Sequence, residues 1–141
     1  TIRGVPDQPG IASLILGPIA ENNIDVDMIV QNVGEDGLAN FTFTVPRNDY
    51  KTALKSLEES ADSLKAKKVV GNNKIVKISM VGVGMRTHAG IASKMFSVLA
   101  KNNINISMIS TSEIKISVVT DEENLKTAVN VLHTAFDLEN S

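Results

Sequence analysis

An internal repeat constrains this chain more than any other feature of its sequence. Residues 10–29 and residues 90–109 are identical at half of their positions, with a constant offset of eighty residues. Each copy begins with Gly-Ile-Ala-Ser and later carries Asn-Asn-Ile and Met-Ile at the same spacing. A repeat of this kind indicates related structural units, and two copies are too few for a solenoid. We therefore predict two small domains that pack together, residues 1–73 and residues 74–141.

The hydrophobic pattern predicts the same order of elements in each domain. Apolar residues at helical spacing in 11–19 and 53–64 predict two helices, and alternation in 24–30 and 41–45 predicts strands. With a strand before the first helix and a short one after the second, the order is strand, helix, strand, strand, helix, strand. This is the split pattern of an α+β fold, so we predict two ferredoxin-like βαββαβ domains, each an antiparallel sheet with helices on one face.

Three finer expectations follow from the same pattern. The alternation should place Ile24, Val26, Met28 and Val30 together on one face of a strand. In the second domain, Thr120 followed three residues later by a glutamate fits a capping box at the start of the last helix. No fourth strand is evident there, so we expect that edge to be truncated or completed by another segment.

Composition excludes several classes of function. A net charge of −2 and an aromatic content of 4% argue against a nucleic-acid surface. The absence of cysteine excludes disulfides and thiolate nucleophiles. No apolar run approaches the about 18 residues that a membrane-spanning helix needs, so a cytoplasmic protein without a membrane partner is expected. Domains this small bury only about 60% of their unfolded surface, so we expect each to pack against its neighbour and a second copy of the chain.

No catalytic or metal site is identifiable. The Gly-Val-Gly sequence at 82–84 lacks the lysine and hydroxyl residue of a phosphate-binding loop. The two histidines, His88 and His133, fall in different predicted elements, and no serine occupies a nucleophile elbow.

A possible ligand-binding arrangement occurs twice. A loop ends at Gly10 or Gly90, directly at a predicted helix N-terminus, where unpartnered N–H groups and the helix dipole attract anions. The following strand carries polar side chains that can accept hydrogen bonds from an ammonium group: Asp25 and Asp27 in one copy, Asn105 and Ser107 in the other. A carboxylate site beside an ammonium site complements a free amino acid. The alternative is that the glycines only form turns and the polar side chains are solvated.

Residues 110–113 form a second unusual stretch, with three hydroxyl side chains followed by Glu113. They form either a polar turn or a further wall of a ligand pocket, in which Glu113 would face a distal ammonium group.

At residues 4–10, 25–33 and 107–114 the sequence resembles the paired ACT domains of aspartokinases, and the resemblance covers the whole chain. It implies a separate kinase domain that transfers the ATP γ-phosphate to the aspartate side chain. The ACT pair would bind end products, threonine, lysine or both, and inhibit that kinase. The chain alone would then be non-catalytic and need no cofactor, with ATP and Mg²⁺ bound only by the kinase domain. The implied partners are amino-acid effectors, a second copy through the ACT domains, and the catalytic domain or α subunit.

The resemblance also implies the effector contacts, in pockets between domains and commonly between chains. In the first domain they are Asp7, Gln8, Pro9, Gly10, Ile11, Ala12, Asn23, Ile24, Asp25, Asp27 and Gln31. In the second domain they are Met85, His88, Ala89, Gly90, Ile91, Ala92, Asn103, Ile104, Asn105, Ser107, Ser112 and Glu113. The second loop differs from the first, because alanine replaces proline before its glycine.

Three other interpretations remain open. The chain could be an ACT-type sensor of another biosynthetic enzyme, for which the first loop fits equally well. It could be a small ferredoxin-like phosphatase that uses Arg3 or Arg86, although no matched asparagine supports this. It could also be a purely structural dimerisation module, which would need no polar groups at its helix N-termini. Titration with amino acids and a phosphatase assay distinguish these cases.

Overall fold

The computed structural model describes residues 1–81, 88–112 and 114–136, with residues 88 and 89 described by their backbone alone. The chain divides into two compact units, Thr1–Asn73 and Lys74–Ser141. We refer to them as the first and second units.

The first unit has the predicted order of elements. Its sheet is antiparallel with strand order β2-β3-β1-β4, as expected for a ferredoxin-like fold. Its elements are β1 (Ile2–Pro6), α1 (Ile11–Glu21), β2 (Ile29–Val33), β3 (Leu38–Phe43), a 3-10 turn (Arg47–Asp49), α2 (Tyr50–Ser60) and β4 (Lys68–Val69).

Both helices of the first unit pack on one face of its sheet. Ile2 and Phe41 from the sheet meet Ile11 and Ile15 from α1 and Leu57 from α2 in a single buried cluster. Burying one such side chain stabilises the fold by about 1.5–3 kcal/mol, so this apolar face fixes how the helices sit. The prediction of an α+β fold with helices on one face is confirmed for this unit.

The segment before β2 departs from the predicted strand. Asp27 donates its backbone N–H to the Thr44 carbonyl (3.1 Å), and Thr44 donates its own to the Met28 carbonyl (3.0 Å). Asp27 and Met28 therefore both face Thr44, which is the arrangement of a β-bulge. Regular pairing between β2 and β3 begins only at Ile29. The bulge shifts the side-chain alternation, because Val30 pairs with Thr42 on the sheet face opposite to the core. The prediction that Val30 lies on the same strand face as Ile24 is therefore wrong.

The second unit repeats the architecture with three strands among its described residues. The sheet order is β5-β7-β6, again antiparallel. Its elements are β5 (Ile75–Val81), α3 (His88–Lys101), β6 (Met108–Thr111), β7 (Lys115–Asp121), a 3-10 turn (Glu122–Asn124) and α4 (Leu125–Phe136). The buried side chains of Met95 and Leu99 from α3 and Leu132 from α4 pack with Ile116 and Val118 of β7.

Thr120 does not form the predicted capping box. It lies within β7, which pairs with β5 as far as Asp121, and its hydroxyl donates to the Asn105 carbonyl oxygen at 2.7 Å. No side chain caps the 3-10 turn that follows Asp121. Pairing with β5 draws Thr120 into the sheet, so the local motif is overridden by a tertiary contact.

Within the described ranges, every helix is too short or too polar to cross a lipid bilayer.

Candidate functional site

The N-terminus of α1 has the features expected of an anion-binding helix end. Gly10 precedes the helix in the left-handed conformation, with φ of 87°. A Cβ at this position would meet nothing within 4 Å, so the need for glycine is conformational and not steric. The first helical bond runs from the Leu14 N–H to the Gly10 carbonyl at 3.1 Å. The N–H groups of Ala12 and Ser13 precede that bond, and no side chain caps this end of the helix.

The corresponding helix of the second unit begins differently. α3 starts at His88, so Gly90 lies inside its first turn and not before it. The prediction that Gly90 directly precedes the helix is therefore wrong. The sequence difference explains this: Pro9 disfavours a helical conformation for the residue before it, whereas Ala89 at the equivalent position allows an earlier start.

The Asn-Asn-Ile sequence of the repeat forms the C-terminal cap of both helices. Asn23 and Asn103 adopt the left-handed conformation, with φ of 56° and 60°. Each donates its backbone N–H to the carbonyl three residues earlier, at 3.0 Å in both units. Ile24 and Ile104 donate to the carbonyl five residues earlier, at 3.3 and 2.9 Å, and their side chains are buried. This pair of bonds is the Schellman motif, in which asparagine replaces the usual glycine.

The first asparagine of each pair strengthens the same cap. The side-chain amide of Asn22 donates to the carbonyl four residues earlier at 2.8 Å, and that of Asn102 does the same at 2.8 Å. The identity between the two copies at these positions thus has a structural cause. The exposed side chains of Asn23 and Asn103 remain candidates for ligand contact.

Polar side chains are exposed directly after each cap. Asp25 and Asp27 in the first unit, and Asn105 and Ser107 in the second, are exposed residues. Asp27 donates its backbone N–H to the carbonyl of Thr44, directly after β3, at 3.1 Å, and Ser107 donates to Val119 of β7 at 2.8 Å. We call residues 25–27 and 105–107 the polar segments.

The structure does not bring both halves of the predicted site together within the first unit. The helix between Gly10 and the polar segment has 11 residues, a length of about 16 Å. Asp7 lies instead at the β2–β3 hairpin, where its N–H donates to the Gly37 carbonyl at 3.1 Å. One free amino acid cannot span the distance from one end of α1 to the other.

The remaining predicted contacts divide by burial. Ile11, Ile24 and Ile104 belong to the cores, and Ile91 and Ala92 pack against the core of the second unit. Asp7, Gln8, Pro9, Ala12 and Gln31 are exposed, as are Gly10 and Gly90. Met85, Glu113 and the side chains of His88 and Ala89 lie outside the described residues.

Residues 110–112 lie at the end of β6 and at the start of its connection to β7. Ser110 and Thr111 end β6, and Ser112 donates its backbone N–H to the Lys115 carbonyl at 2.7 Å. All three side chains are exposed. This geometry agrees with a polar turn; whether Ser112 also contacts a ligand stays a prediction.

Sequence reasoning missed the exposed edge of the first sheet. Ile29 and Val33 are 52% and 53% exposed, although their register partners Phe43 and Ala39 lie on the core face. They and Gln31 project from the helix-bearing face at an edge that the helices do not cover. The sequence shows that β2 is apolar and contains no charged residue. It does not show that β2 lies at the edge of the sheet.

Within the described residues, no group of three or more histidine or acidic side chains could hold a metal ion. His133 is exposed on α4, in a different element from His88.

Comparison with known families agrees with this architecture. Residues 1–62 match a family model described as an ACT domain, and residues 78–136 match a second ACT-domain model. The chain is 62% identical to an aspartate kinase from Pseudomonas putida over 139 residues, 99% of the chain and 34% of that protein. It is 46% identical to the aspartokinase of Helicobacter pylori, again over 99% of the chain and 34% of that protein. The chain therefore spans about a third of the length of these relatives.

Solved structures give matches over nearly the whole chain. A crystal structure of aspartokinase α and β subunits contains a chain that is 53% identical, with a TM-score of 0.90, covering 96% of this chain and 89% of that one. The ligand-free regulatory subunit of aspartate kinase from Thermus thermophilus is 37% identical, with a TM-score of 0.88 and the same coverage. The chain therefore belongs to the aspartokinase family and consists of two ACT domains of its regulatory region.

Proposed function

We propose that this chain is the part of a cytoplasmic aspartokinase that binds end-product amino acids and transmits feedback inhibition. Threonine, lysine or both are the proposed effectors, and the inhibited reaction is phosphorylation of the aspartate side chain. The catalytic partner is a kinase domain or an α subunit, which would hold ATP and Mg²⁺. This chain itself would need no cofactor.

The observation that carries the proposal is the uncapped N-terminus of α1. The N–H groups of Ala12 and Ser13 point out of a helix end preceded by a left-handed glycine, with exposed small residues around them. A carboxylate is the natural ligand of such an end, because the helix dipole and the free donors both favour negative charge. The exposed carboxylates of Asp25 and Asp27 supply the complementary acceptors for an ammonium group.

These two halves lie at opposite ends of α1, so one copy of the first unit cannot supply both. We propose that the helix end of one copy meets the polar segment of another. The amino acid would then bind across an interface between identical chains, and its binding energy would favour one arrangement of the dimer.

The two edges of the first sheet support a dimer formed through β2. The edge at β4 has two residues and begins with Lys68, and short charged edges resist pairing. The edge at β2 has five residues and contains neither a charged residue nor a proline. Together with exposed Ile29 and Val33, this strand offers hydrogen-bonding groups and apolar surface to a second copy.

The proposed mechanism is a shift of population between two arrangements of the dimer. An effector can inhibit only if it binds one arrangement more tightly than the other. If threonine and lysine act together, each must tighten the binding of the other by the same factor, since coupling is reciprocal.

The proposal is tested by calorimetric titration of Asp27→Ala, with Glu58→Ala as the control. Both substitutions remove one exposed carboxylate, but Glu58 lies on α2 and not in the polar segment. We expect Asp27→Ala to weaken effector binding about tenfold, since a hydrogen bond to a charged group contributes about 1.5–3 kcal/mol. Glu58→Ala should bind like the unmodified chain. Equal affinity in both variants would remove Asp27 from the site.

A further inference from the structure

Thr120 is the buried polar residue that contacts a polar segment directly. Its side chain is 1% exposed, and its hydroxyl donates to the carbonyl oxygen of Asn105 at 2.7 Å. Asn105 is the first residue of the second polar segment. The contact therefore joins the C-terminal end of β7 to the stretch that follows the α3 cap.

A second hydrogen bond uses the acceptor capacity that this hydroxyl retains. The side-chain amide of Asn124, in the 3-10 turn before α4, donates to the Thr120 hydroxyl oxygen at 3.4 Å. A hydroxyl has one proton and can accept as well as donate. Because a carbonyl oxygen only accepts, the hydroxyl proton is directed to the Asn105 carbonyl, and the hydroxyl oxygen accepts from Asn124.

This bond orients the peptide that follows Asn105. In a planar trans peptide the C=O and N–H point in opposite directions. With the Asn105 carbonyl held toward β7, the Ile106 N–H points away from β7, toward the open edge of the sheet. Ser107 donates its N–H to the Val119 carbonyl at 2.8 Å, so the Ile106 carbonyl also points away from β7. Ile106 thus presents one donor and one acceptor on the same side.

The first unit lacks this anchor. Asp27 and Ser107 correspond in the repeat and bond to the carbonyls of Thr44 and Val119, so Val45 stands where the second unit has Thr120. The first unit uses another hydroxyl, because Met28 donates its N–H to Thr44 Oγ1 at 3.1 Å. The hydrogen bond to Thr44 fixes the end of the first polar segment. The hydrogen bond from Thr120 fixes the beginning of the second polar segment.

We propose that Thr120 is a positioning residue for ligand binding by the second unit. It holds the Asn105–Ile106 peptide so that the Ile106 N–H can donate to the carboxylate, and the Ile106 carbonyl can accept from the ammonium group, of a free α-amino acid. This inference rests on the proposed function, because it assigns Thr120 a role in orienting backbone groups that bind an amino acid.

The test compares Thr120→Val, Thr120→Ser and Ser117→Ala by calorimetric titration with threonine and with lysine. Valine has the shape of threonine without the hydroxyl, whereas serine retains it. Ser117 is the matched control: it is also buried in β7, and its hydroxyl pairs with that of Ser79 at 2.7 Å, away from the polar segment.

We expect Thr120→Val to weaken binding about tenfold, which is the upper end of what one neutral hydrogen bond contributes. Thr120→Ser should restore binding to within about twofold, and Ser117→Ala should lower thermal stability without changing affinity. Unchanged affinity in Thr120→Val would overturn the proposal. If that variant does not fold, Thr120→Ala removes the same hydroxyl and takes its place, and unchanged affinity in it would also overturn the proposal.

Amide hydrogen exchange without any ligand separates this inference from the proposed function. Thr120→Val should accelerate exchange at Ser107, whereas Ser117→Ala should not. Unchanged exchange at Ser107 would contradict the positioning role even if amino acids bind. Faster exchange in a chain that binds neither amino acid would instead contradict the proposed function and leave a purely structural role for Thr120.

Discussion

The two units share one fold. Their first helices, α1 and α3, have the same C-terminal end but different N-terminal ends. At the C-terminal end, the Asn-Asn-Ile cap has the same bonds and the same left-handed asparagine in both copies. At the N-terminal end, α1 starts after a left-handed Gly10, whereas α3 starts two residues before Gly90. The repeat therefore preserves the cap that the fold requires and varies the end that would meet a ligand.

The polar segments of the two units also differ. The first carries two carboxylates, and the second carries an amide and a hydroxyl at the same places. Their anchors also differ, with Thr44 in one unit and Thr120 in the other. Duplicated scaffolds with different polar groups are suited to two different ligands, or to one ligand bound with two affinities.

The largest expected effect tests whether the two cores are equivalent. Ile19 and Leu99 correspond in the repeat and are 1% and 0% exposed. We expect Ile19→Ala and Leu99→Ala each to lower the free energy of unfolding by about 2–5 kcal/mol, through lost burial and the cavity left behind. Urea denaturation measures both. Leu14→Ala is the control on α1, since Leu14 is 57% exposed and its truncation should cost far less. A large loss in only one of the two core variants would break the equivalence.

The glycines at the helix starts should respond with opposite signs. Gly10→Ala forces an alanine into a left-handed conformation and should cost about 1–2 kcal/mol. Gly90→Ala places alanine inside a helix and should stabilise by about 0.5–1 kcal/mol. Thermal unfolding of the two variants gives the comparison. Destabilisation by both would mean that α3 starts after Gly90, as α1 starts after Gly10.

The asparagine caps should respond equally in the two units. Asn23→Ala and Asn103→Ala should each destabilise by about 1 kcal/mol, because alanine tolerates a positive φ less well. Glycine at either position should be tolerated, since it is the usual residue of this cap. Thermal unfolding of the four variants measures this. If alanine and glycine behave alike at both positions, backbone conformation is not what the repeat preserves there.

The smallest expected effect concerns selectivity. Replacing Asp25 and Asp27 by the residues of the second unit, Asp25→Asn with Asp27→Ser, removes two negative charges from the first polar segment. Near water, one charge pair at 4 Å contributes about 1 kcal/mol, so lysine should lose several-fold more affinity than threonine. Competition titration measures the ratio, and an unchanged ratio would show that the carboxylates do not face the lysine side chain.

The sequence predicted the elements that follow from local periodicity and missed those that depend on pairing. Alternation and helical spacing were enough for the strand and helix order of both units, and the repeat indicated that they share one fold. The bulge at Met28 was not predictable, because it depends on how Thr44, directly after β3, meets Asp27. Thr120 was misassigned for the same reason, since its place in β7 is decided by β5.

For the candidate site, sequence reasoning found residue types but not distances. It identified Gly10, Asp25 and Asp27 as complementary to an amino acid, and the structure leaves them exposed. It could not show that a whole helix separates them, because the length of α1 becomes a distance only when the fold is known. That separation is the reason for proposing a site shared between copies of the chain.

The most direct test of this account is calorimetric titration of the unmodified chain with threonine, with lysine, and with each in the presence of the other. The account predicts saturable binding of at least one of them. If both bind, each should tighten the other by the same factor, which gives the coupling free energy. Absence of heat together with absence of any thermal shift with either amino acid would contradict the claim that this ACT pair binds the end products of the pathway.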